Sequence, residues 1–326
     1  MALIKTLKGN TPKVGNDCFL AETATLIGEV EIGDNCSIWY NAVLRGDVHY
    51  IKVGNNTNIQ DNATVHATYK KSPTNIGNNV TIDPFAVIEE GVTIGDGTHI
   101  MSHATILKGT TIGKSSRVFP GAVIGAIPQD LKFVGEETTV EIGDHTTIRE
   151  SVTINRGTKD KWKTVIGSHC LLMAYTHIAH DCILGDYVIL ANTVQLAGHV
   201  EIGDYAIIGG LVGAAQFAKI GAHTYIAGHY VDKDVPPYIK AGRDPLCYVG
   251  VNSVGLQRRG FTSEKINDIH EIYRYIYLRG LNITQALECI EKELPESNER
   301  NEIISFIKSS KRGIIKTSAK ETTNED

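Results

Sequence analysis

From Val14 onward an aliphatic residue recurs at every sixth position: Val14, Leu20, Leu26, Ile32, Ile38 and Leu44. The register resumes at Val53, Ile59 and Val65, then runs unbroken from Ile76 to Ile124. It returns at Ile142, Ile148 and Ile154, and again from Ile166 to Ile226, where only Ala214 is small rather than branched. A helix would repeat apolar residues at spacings of three and four, so this period excludes one. Four residues after each aliphatic position lies a second restricted one. It holds Cys18, Ala24, Val30, Cys36 and Ala42 early, and Thr176, Cys182, Val188, Val194, Val200, Ala206 and Val212 late. Two inward positions per hexad, one branched and one small, suit a short strand that turns a corner and repeats. Ile-Gly or Leu-Gly pairs at Ile76, Ile94 and Ile112, then at Ile166, Leu184, Ile202 and Ile220, recur every eighteenth residue. Three hexads therefore close one triangular coil, and the predicted fold is an all-β solenoid, a parallel β-helix.

Four stretches interrupt the repeat: Arg45–Lys52, His66–Asn75, Ala126–Glu141 and Arg156–Val165. Interruptions of a solenoid are expected as loops on its flank, where binding residues gather. After Val235-Pro236-Pro237 the period is lost. Thr262 to Lys311 reads as helical, with Ile266, Ile269, Ile272, Tyr273, Ile276 and Tyr277 on one face. Thr262 or Ser263 suits the N-cap, Gly280 a stop, and a second helix begins near Thr284.

Composition narrows the class only by exclusion. A net charge of −5 gives no overall nucleic-acid-binding field. No apolar run approaches the roughly 20 residues needed to span a bilayer, and Met1–Pro12 lacks the apolar core of a signal peptide. The six cysteines lack CxxC spacing, which argues against a zinc ribbon or disulfide framework. The expected address is the cytoplasm, with no cofactor.

The repeat sorts the reactive side chains. Cys18, Cys36, Cys170 and Cys182 fall on the small inward position and read as core filler rather than nucleophiles. His177, His180 and His199 fall on outward positions, where they are either solvated turn histidines or a site. They lack the spacing of a clear metal-ligand set.

Five ordered motifs carry a more specific signal: Pro128-Gln129-Asp130-Leu131-Lys132, Ile148 to Gly157, Leu171 to Cys182, Leu196-Ala197-Gly198-His199-Val200, and Gly255 to Phe261. Together they resemble the UDP-N-acetylglucosamine O-acyltransferases of lipid A synthesis over about residues 76–316. The resemblance implies a left-handed coil, a homotrimer, and transfer of a (3-hydroxy)acyl group from acyl carrier protein to the sugar 3-hydroxyl. It implies His180 as general base and the Gly198 N–H as oxyanion donor. It places Asp130, Lys132, His177 and His199 against sugar and acyl chain, and Gln216, Asn252, Arg258 and Arg259 on the nucleotide side. A solvated charge pair is the plainer account of Arg258 and Arg259. Lys308, Lys311, Arg312 and Lys316 are candidates for meeting an acidic carrier protein, or simply a solvated helix face.

Residues 12–82 resemble a different hexapeptide-repeat family, the gamma-class carbonic anhydrases, through Ser37 to Asp47 and Asn58 to His66. His66 matches one zinc ligand there, yet Asp83 to Glu89 offers no further histidine, and a catalytic zinc needs about three protein ligands. His66 is thus a lone remnant candidate and no metal site is predicted. The chain reads as a hybrid. N-terminal coils occupy 1–82, an acyltransferase β-helix 83–235, a connecting segment 236–261, a helical domain 262–316 and a frayed tail 317–326. A zinc-dependent anhydrase-like protein and a non-catalytic trimeric scaffold are the alternatives.

Overall fold

Each hexad folds as a two-residue strand and a turn, and strands of successive coils pair in parallel. The structure, a computed structural model, describes residues 1–67, 72–228 and 230–318. Of the expected frayed tail 317–326, Thr317 instead pairs with Tyr248 in a short strand, and 319–326 lie outside the described residues, as do 68–71 of the His66–Asn75 interruption. The chain forms two compact units, Met1–Tyr187 and Val188–Asp326.

In the first unit Thr81 lies opposite Asn58, His99 opposite Thr81 and Arg117 opposite His99, so pairing passes residue 82 unbroken. Neighbours on adjacent coils are 18 residues apart where the repeat is intact, 30 across Ala126–Glu141 and 24 across Arg156–Val165. Both interruptions therefore leave the coil and re-enter it in phase. The sixth-residue aliphatics fill the interior: Ile38, Ile59, Ile82, Ile100, Val118 and Ile148 are fully buried.

The corners explain the rest of the hexad. At Gly95 a Cβ would lie 2.7 Å from the Gly113 carbonyl carbon one coil on, so only glycine fits where backbones approach this closely. The residue after glycine reaches back one coil, as when the Asp96 carboxylate accepts from Asn78 N–H (2.8 Å) and Asp186 from Ser168 N–H (2.7 Å). The small inward position satisfies the facing carbonyl when it carries a donor. Thr57, Thr98 and Thr146 donate to Gly77, Gly113 and Gly167 at 2.9, 2.8 and 2.9 Å, and the thiols of Cys36 and Cys170 do the same to Gly54 and Gly185. Cys36, Cys170 and Cys182 are buried as expected, whereas Cys18, in the first coil, is half-buried. The residue before the small position turns through the left-handed region (Asn35, Asn56, Tyr175, Asp181), and asparagine tolerates that conformation best.

One interruption is not a loop. Val43–Val53 runs as a single strand between Thr25–Ile32 on one side and Thr64–His66 with Thr74–Ile76 on the other. The excess residues, 47–50, bulge from this strand opposite Glu29, and beside them a Cβ on Gly28 would sit 2.3 Å from the Gly46 oxygen.

In the second unit Ile189, Ile207 and Tyr225 stack in the same way, and Lys240 follows opposite Tyr225. The segment 236–261 is thus more than a connection. Ile239–Arg243 extends the coil, turns back antiparallel onto Cys247–Val251, and leads into helix α1 (Ser253–Arg258). The loss of the six-residue period hid these elements. Helix α2 (Ser263–Tyr277) is capped by Thr262, whose hydroxyl accepts from Lys265 N–H. It buries Ile266, Ile269, Ile272, Tyr273 and Ile276, the expected face, plus Tyr275, while Tyr277 is half-buried. Helix α3 (Ile283–Glu293) starts on an Asn282–Gln285 capping box, and α4 (Asn298–Ser309) on Ser297. Buried Asp234 ties coil to helices: its carboxylate accepts from Lys219 N–H (2.9 Å) and from the Ser310 hydroxyl (2.6 Å). No helix among the described residues is long and apolar enough to cross a membrane.

Thr146→Val keeps shape but strips the donor from the Gly167 carbonyl and the acceptor from Cys170 N–H. Urea unfolding should show a loss of about 1–3 kcal/mol, largely absent in Thr146→Ser. Equal stability of the two variants would remove the corner ladder from the account.

Candidate active site

The departures Ala126–Glu141 and Arg156–Val165 meet over one coil of the first unit. Asn155 donates its amide to the carbonyls of Ala126 and Ile127 (3.4 and 3.1 Å), and Arg156 N–H donates to Ala126 O (2.9 Å). This anchors the loop 127–138, whose Asp130 closes a local turn by accepting from Lys132 N–H (2.9 Å). The Lys132 side chain is exposed. The Arg156 guanidinium lies 5.5 Å from the Phe133 ring and steadies the far side of the loop.

Beneath this loop His180 is buried, and its Nδ1 is 2.8 Å from Asp181 Oδ2. Its Nε2 faces the Asp130 carboxylate at 3.9 Å, beyond hydrogen-bond reach. Adjacent side chains on an extended strand point to opposite faces. Here the left-handed turn at Asp181 (φ 59) folds the carboxylate back onto the preceding imidazole. Asp181 is fully buried and takes hydrogen bonds from Thr158 and from Lys161 N–H, both on the Arg156–Val165 interruption. An aspartate on Nδ1 holds that proton in place and leaves Nε2 to accept one, the arrangement of a general base. His177, expected beside it, has its Nδ1 2.7 Å from the Thr153 hydroxyl. Burial, and then the nearby His180, holds its pKa below the usual histidine range, so it works as a neutral hydrogen-bonding group at pH 7.

The second unit contains its own polar cluster. Tyr205, His223 and Tyr238 stack as a column (centroids 4.9 and 5.5 Å apart), with Phe261 edge-on to His223 at 5.1 Å. Arg259 lies 5.3 Å from the Tyr205 ring and donates from Nη2 to the Tyr205 carbonyl (2.8 Å). Its Nη1 is buried and, among the described residues, has no partner. A half-buried guanidinium with a buried, unused donor is a site for an anion. Arg258, one residue earlier, is exposed. Asn252 is buried and donates its amide to the His223 carbonyl (2.9 Å), which fixes the start of α1 against the column. The Gln216 side chain is exposed, while its carbonyl accepts from Arg312. His199 is buried and stacks on Phe217 (4.4 Å), and the neighbouring Gly198 carbonyl accepts from Phe217 N–H (3.1 Å). Of the four basic residues near the C-terminus, Lys308 pairs with Glu291 (2.6 Å) and Arg312 donates to the Asp232 carbonyl (3.0 Å), while Lys311 and Lys316 are exposed.

The motifs pointed to His180, Asp130 and Arg259, and did not point to Asp181, Thr158, Tyr205 and His223, which the structure places against them. Nothing in the local spacing marks Thr158, Tyr205 or His223. For Asp181 the usable signal was an acid directly after the outward histidine, at the turn position of the hexad. His66 is 3.8 Å from Glu90, and among the described residues it is not gathered with two further His, Cys, Asp or Glu donors. The zinc-dependent anhydrase reading finds no support here.

Comparison with known proteins identifies the family. Residues 234–315 match the family model for domain 2 of UDP-N-acetylglucosamine O-acyltransferase. Residues 11–46, 73–108 and 163–198 match the bacterial transferase hexapeptide repeat. An acyl-[acyl-carrier-protein]--UDP-N-acetylglucosamine O-acyltransferase of Chlorobaculum parvum is 51% identical over 253 residues, covering 72% of this chain and 96% of that protein. Its namesake from Aquifex aeolicus is 58% identical over 201 residues, covering 61% of this chain and 77% of that protein. The solved UDP-N-acetylglucosamine acyltransferase of Bacteroides fragilis matches with a TM-score of 0.69 at 46% identity, over 81% of this chain and 95% of that one. The Arabidopsis enzyme's structure matches with a TM-score of 0.69 at 27% identity, over 95% of this chain and 98% of that one. The fold is therefore the expected left-handed parallel β-helix with a C-terminal helical domain. The carbonic-anhydrase half of the hybrid reading is unsupported, since the match at 11–46 is to the hexapeptide repeat itself.

The clearest pH signature lies at His223, whose pKa is pushed down to about 4 by burial and then by the Arg259 charge. An unfolded histidine takes its proton near pH 6.5. The stability contributed by the neutral ring is therefore complete above about pH 6.5 and is lost as pH falls toward the folded value. NMR titration should show the His223 imidazole neutral at pH 5.5, and His223→Asn should flatten the pH dependence of stability below 6.5. A ring titrating near 6.5 in the folded protein would contradict the burial argument.

Proposed function

The chain belongs to the acyl-[acyl-carrier-protein]--UDP-N-acetylglucosamine O-acyltransferases, and on that premise we propose that His180 is the base through which it works. The enzyme moves an acyl group from acyl carrier protein to UDP-N-acetylglucosamine, the first step of lipid A biosynthesis. The observation that carries the assignment of the base is the buried His180–Asp181 pair, with Nε2 turned toward the Asp130 loop.

In this reading Nε2 takes the proton of the sugar 3-hydroxyl as its oxygen attacks the thioester carbonyl. Asp181 stabilises the imidazolium that forms. Gly198 offers its N–H to the oxyanion, a role carried over from the family resemblance. Collapse of the tetrahedral intermediate expels the carrier thiolate, which regains the proton from His180 and leaves ester and free thiol. No covalent enzyme intermediate is needed, in keeping with the burial of Cys182. Asp130, and neutral His177, suit hydroxyl groups of the sugar. The unused donor of Arg259 suits an oxygen of the diphosphate, and Asn252 serves by holding the adjoining column. Lys132, His199, Gln216 and Arg258 keep the substrate-side places that the resemblance implies. A homotrimer and a cytoplasmic address belong to the same reading.

His180→Ala should lower acyl transfer by about 10²–10⁴-fold while the protein stays folded. Near-normal turnover in that variant would sink the assignment of the base. Arg259→Ala should raise KM for UDP-N-acetylglucosamine roughly tenfold or more through loss of a charge-assisted contact, and Arg258→Ala much less. The reverse order would place the diphosphate on Arg258.

A further inference from the structure

The Arg156–Val165 interruption builds a cage around one carboxylate. Thr158 is buried and gives Asp181 two hydrogen bonds, from its N–H to Oδ1 (2.9 Å) and from its hydroxyl to Oδ2 (2.6 Å). Lys161 N–H adds a third, to Oδ1 (3.2 Å). The hydroxyl has no freedom to turn away. Its oxygen accepts from Asp160 N–H (3.3 Å), which leaves its proton for Asp181. The Thr158 carbonyl accepts from Trp162 N–H (2.7 Å), so the loop closes on itself. Gly157 lets it close that tightly, because a Cβ there would lie 2.3 Å from Lys163 N. From the other side Thr164 accepts from Asp181 N–H (2.9 Å) and holds the left-handed turn.

The Oδ2 atom that meets His180 Nδ1 is therefore the one that takes the Thr158 proton. We propose that Thr158 is a positioning residue of the transfer reaction, acting through Asp181 to aim the His180 imidazole and to set its basicity. This rests on His180 being the base. A shared Oδ2 divides its charge between two donors. The hydroxyl holds the carboxylate in line with Nδ1 and also tempers its pull on the imidazolium. Among the described residues of this unit, Asp130 and His177 also lie near the imidazole, and neither has a described hydrogen bond to Thr158.

Thr158→Val removes the hydroxyl and keeps the size. It should lower kcat roughly 10- to 100-fold with KM for UDP-N-acetylglucosamine little changed, the scale of one hydrogen bond to a charged group. Asp181 Oδ2 would then meet Nδ1–H without the competing hydroxyl, while the backbone donors stay on Oδ1, so the acidic limb of the kcat/KM profile should move to higher pH. Thr158→Ser restores the donor and should restore both. In an Asp181→Asn background Thr158→Val should cost almost nothing further, which a merely structural role would not produce. Melting curves identify a variant that has simply unfolded, and Thr158→Ser then decides by its rate and pH profile. An unmoved profile with wild-type kcat in folded Thr158→Val, or fully additive losses in the double variant, would overturn the proposal. His180→Ala that still turns over would instead overturn the assignment of the base, so the two failures are distinguishable.

Discussion

Everything in this protein depends on how closely one coil lies on the next. Strand partners on adjacent coils hydrogen-bond through their backbones, and at the corners that spacing leaves no room for a Cβ, as at Gly95, Gly113 and Gly143. The same closeness lets a side chain on one coil satisfy the backbone of another. Aspartate and asparagine reach back to N–H groups, and threonine or cysteine reaches forward to carbonyls. A buried backbone group without a partner costs about 1–3 kcal/mol, so the restricted hexad positions follow from the ladder. Interior packing adds the branched aliphatic, one per strand, with almost none of its surface left in water.

A scaffold this regular has no natural cleft, so its chemistry comes from the departures. Ala126–Glu141 lays Asp130 near His180 Nε2, while Arg156–Val165 fills in the opposite side and holds Asp181. Both re-enter the coil in register, so the strands beneath are undisturbed. The left-handed turn supplies the remaining element. It is a repeating feature of the corner, occupied by Asn35, Asn56 and His145 elsewhere, and at Asp181 it sets two neighbouring side chains facing each other. A local conformation required by the fold thus becomes the hinge of the base.

Electrostatics divides the histidines by surroundings rather than by sequence. His180 has a buried carboxylate on Nδ1, whereas His177 has a hydroxyl and His223 sits between two tyrosine rings. Burial drives the latter two toward the neutral form, at His223 outweighing the nearby Asp204 carboxylate. Arg259, next to His223, keeps its charge but loses solvent, which makes an anionic ligand its natural complement.

The sequence by itself determined the coil. Its period of six, the recurring glycine pairs and the buried aliphatics such as Ile82 and Ile148 admit one architecture, because each hexad must close on the same spacing. It also pointed to His180, Asp130 and Arg259 through ordered motifs, and to the helical face of Ile266, Ile269 and Ile272. Only tertiary structure decided that Arg45–Lys52 is strand rather than loop, since an extra stretch pairs or departs according to its neighbours on both coils. Only tertiary structure brought Thr158 to Asp181, a contact spanning 23 residues, and made Asn252 a brace for His223. Periodicity reports which side chains face inward. Where the chain leaves the period, the partner of a polar group is set by a path through space that no local spacing encodes.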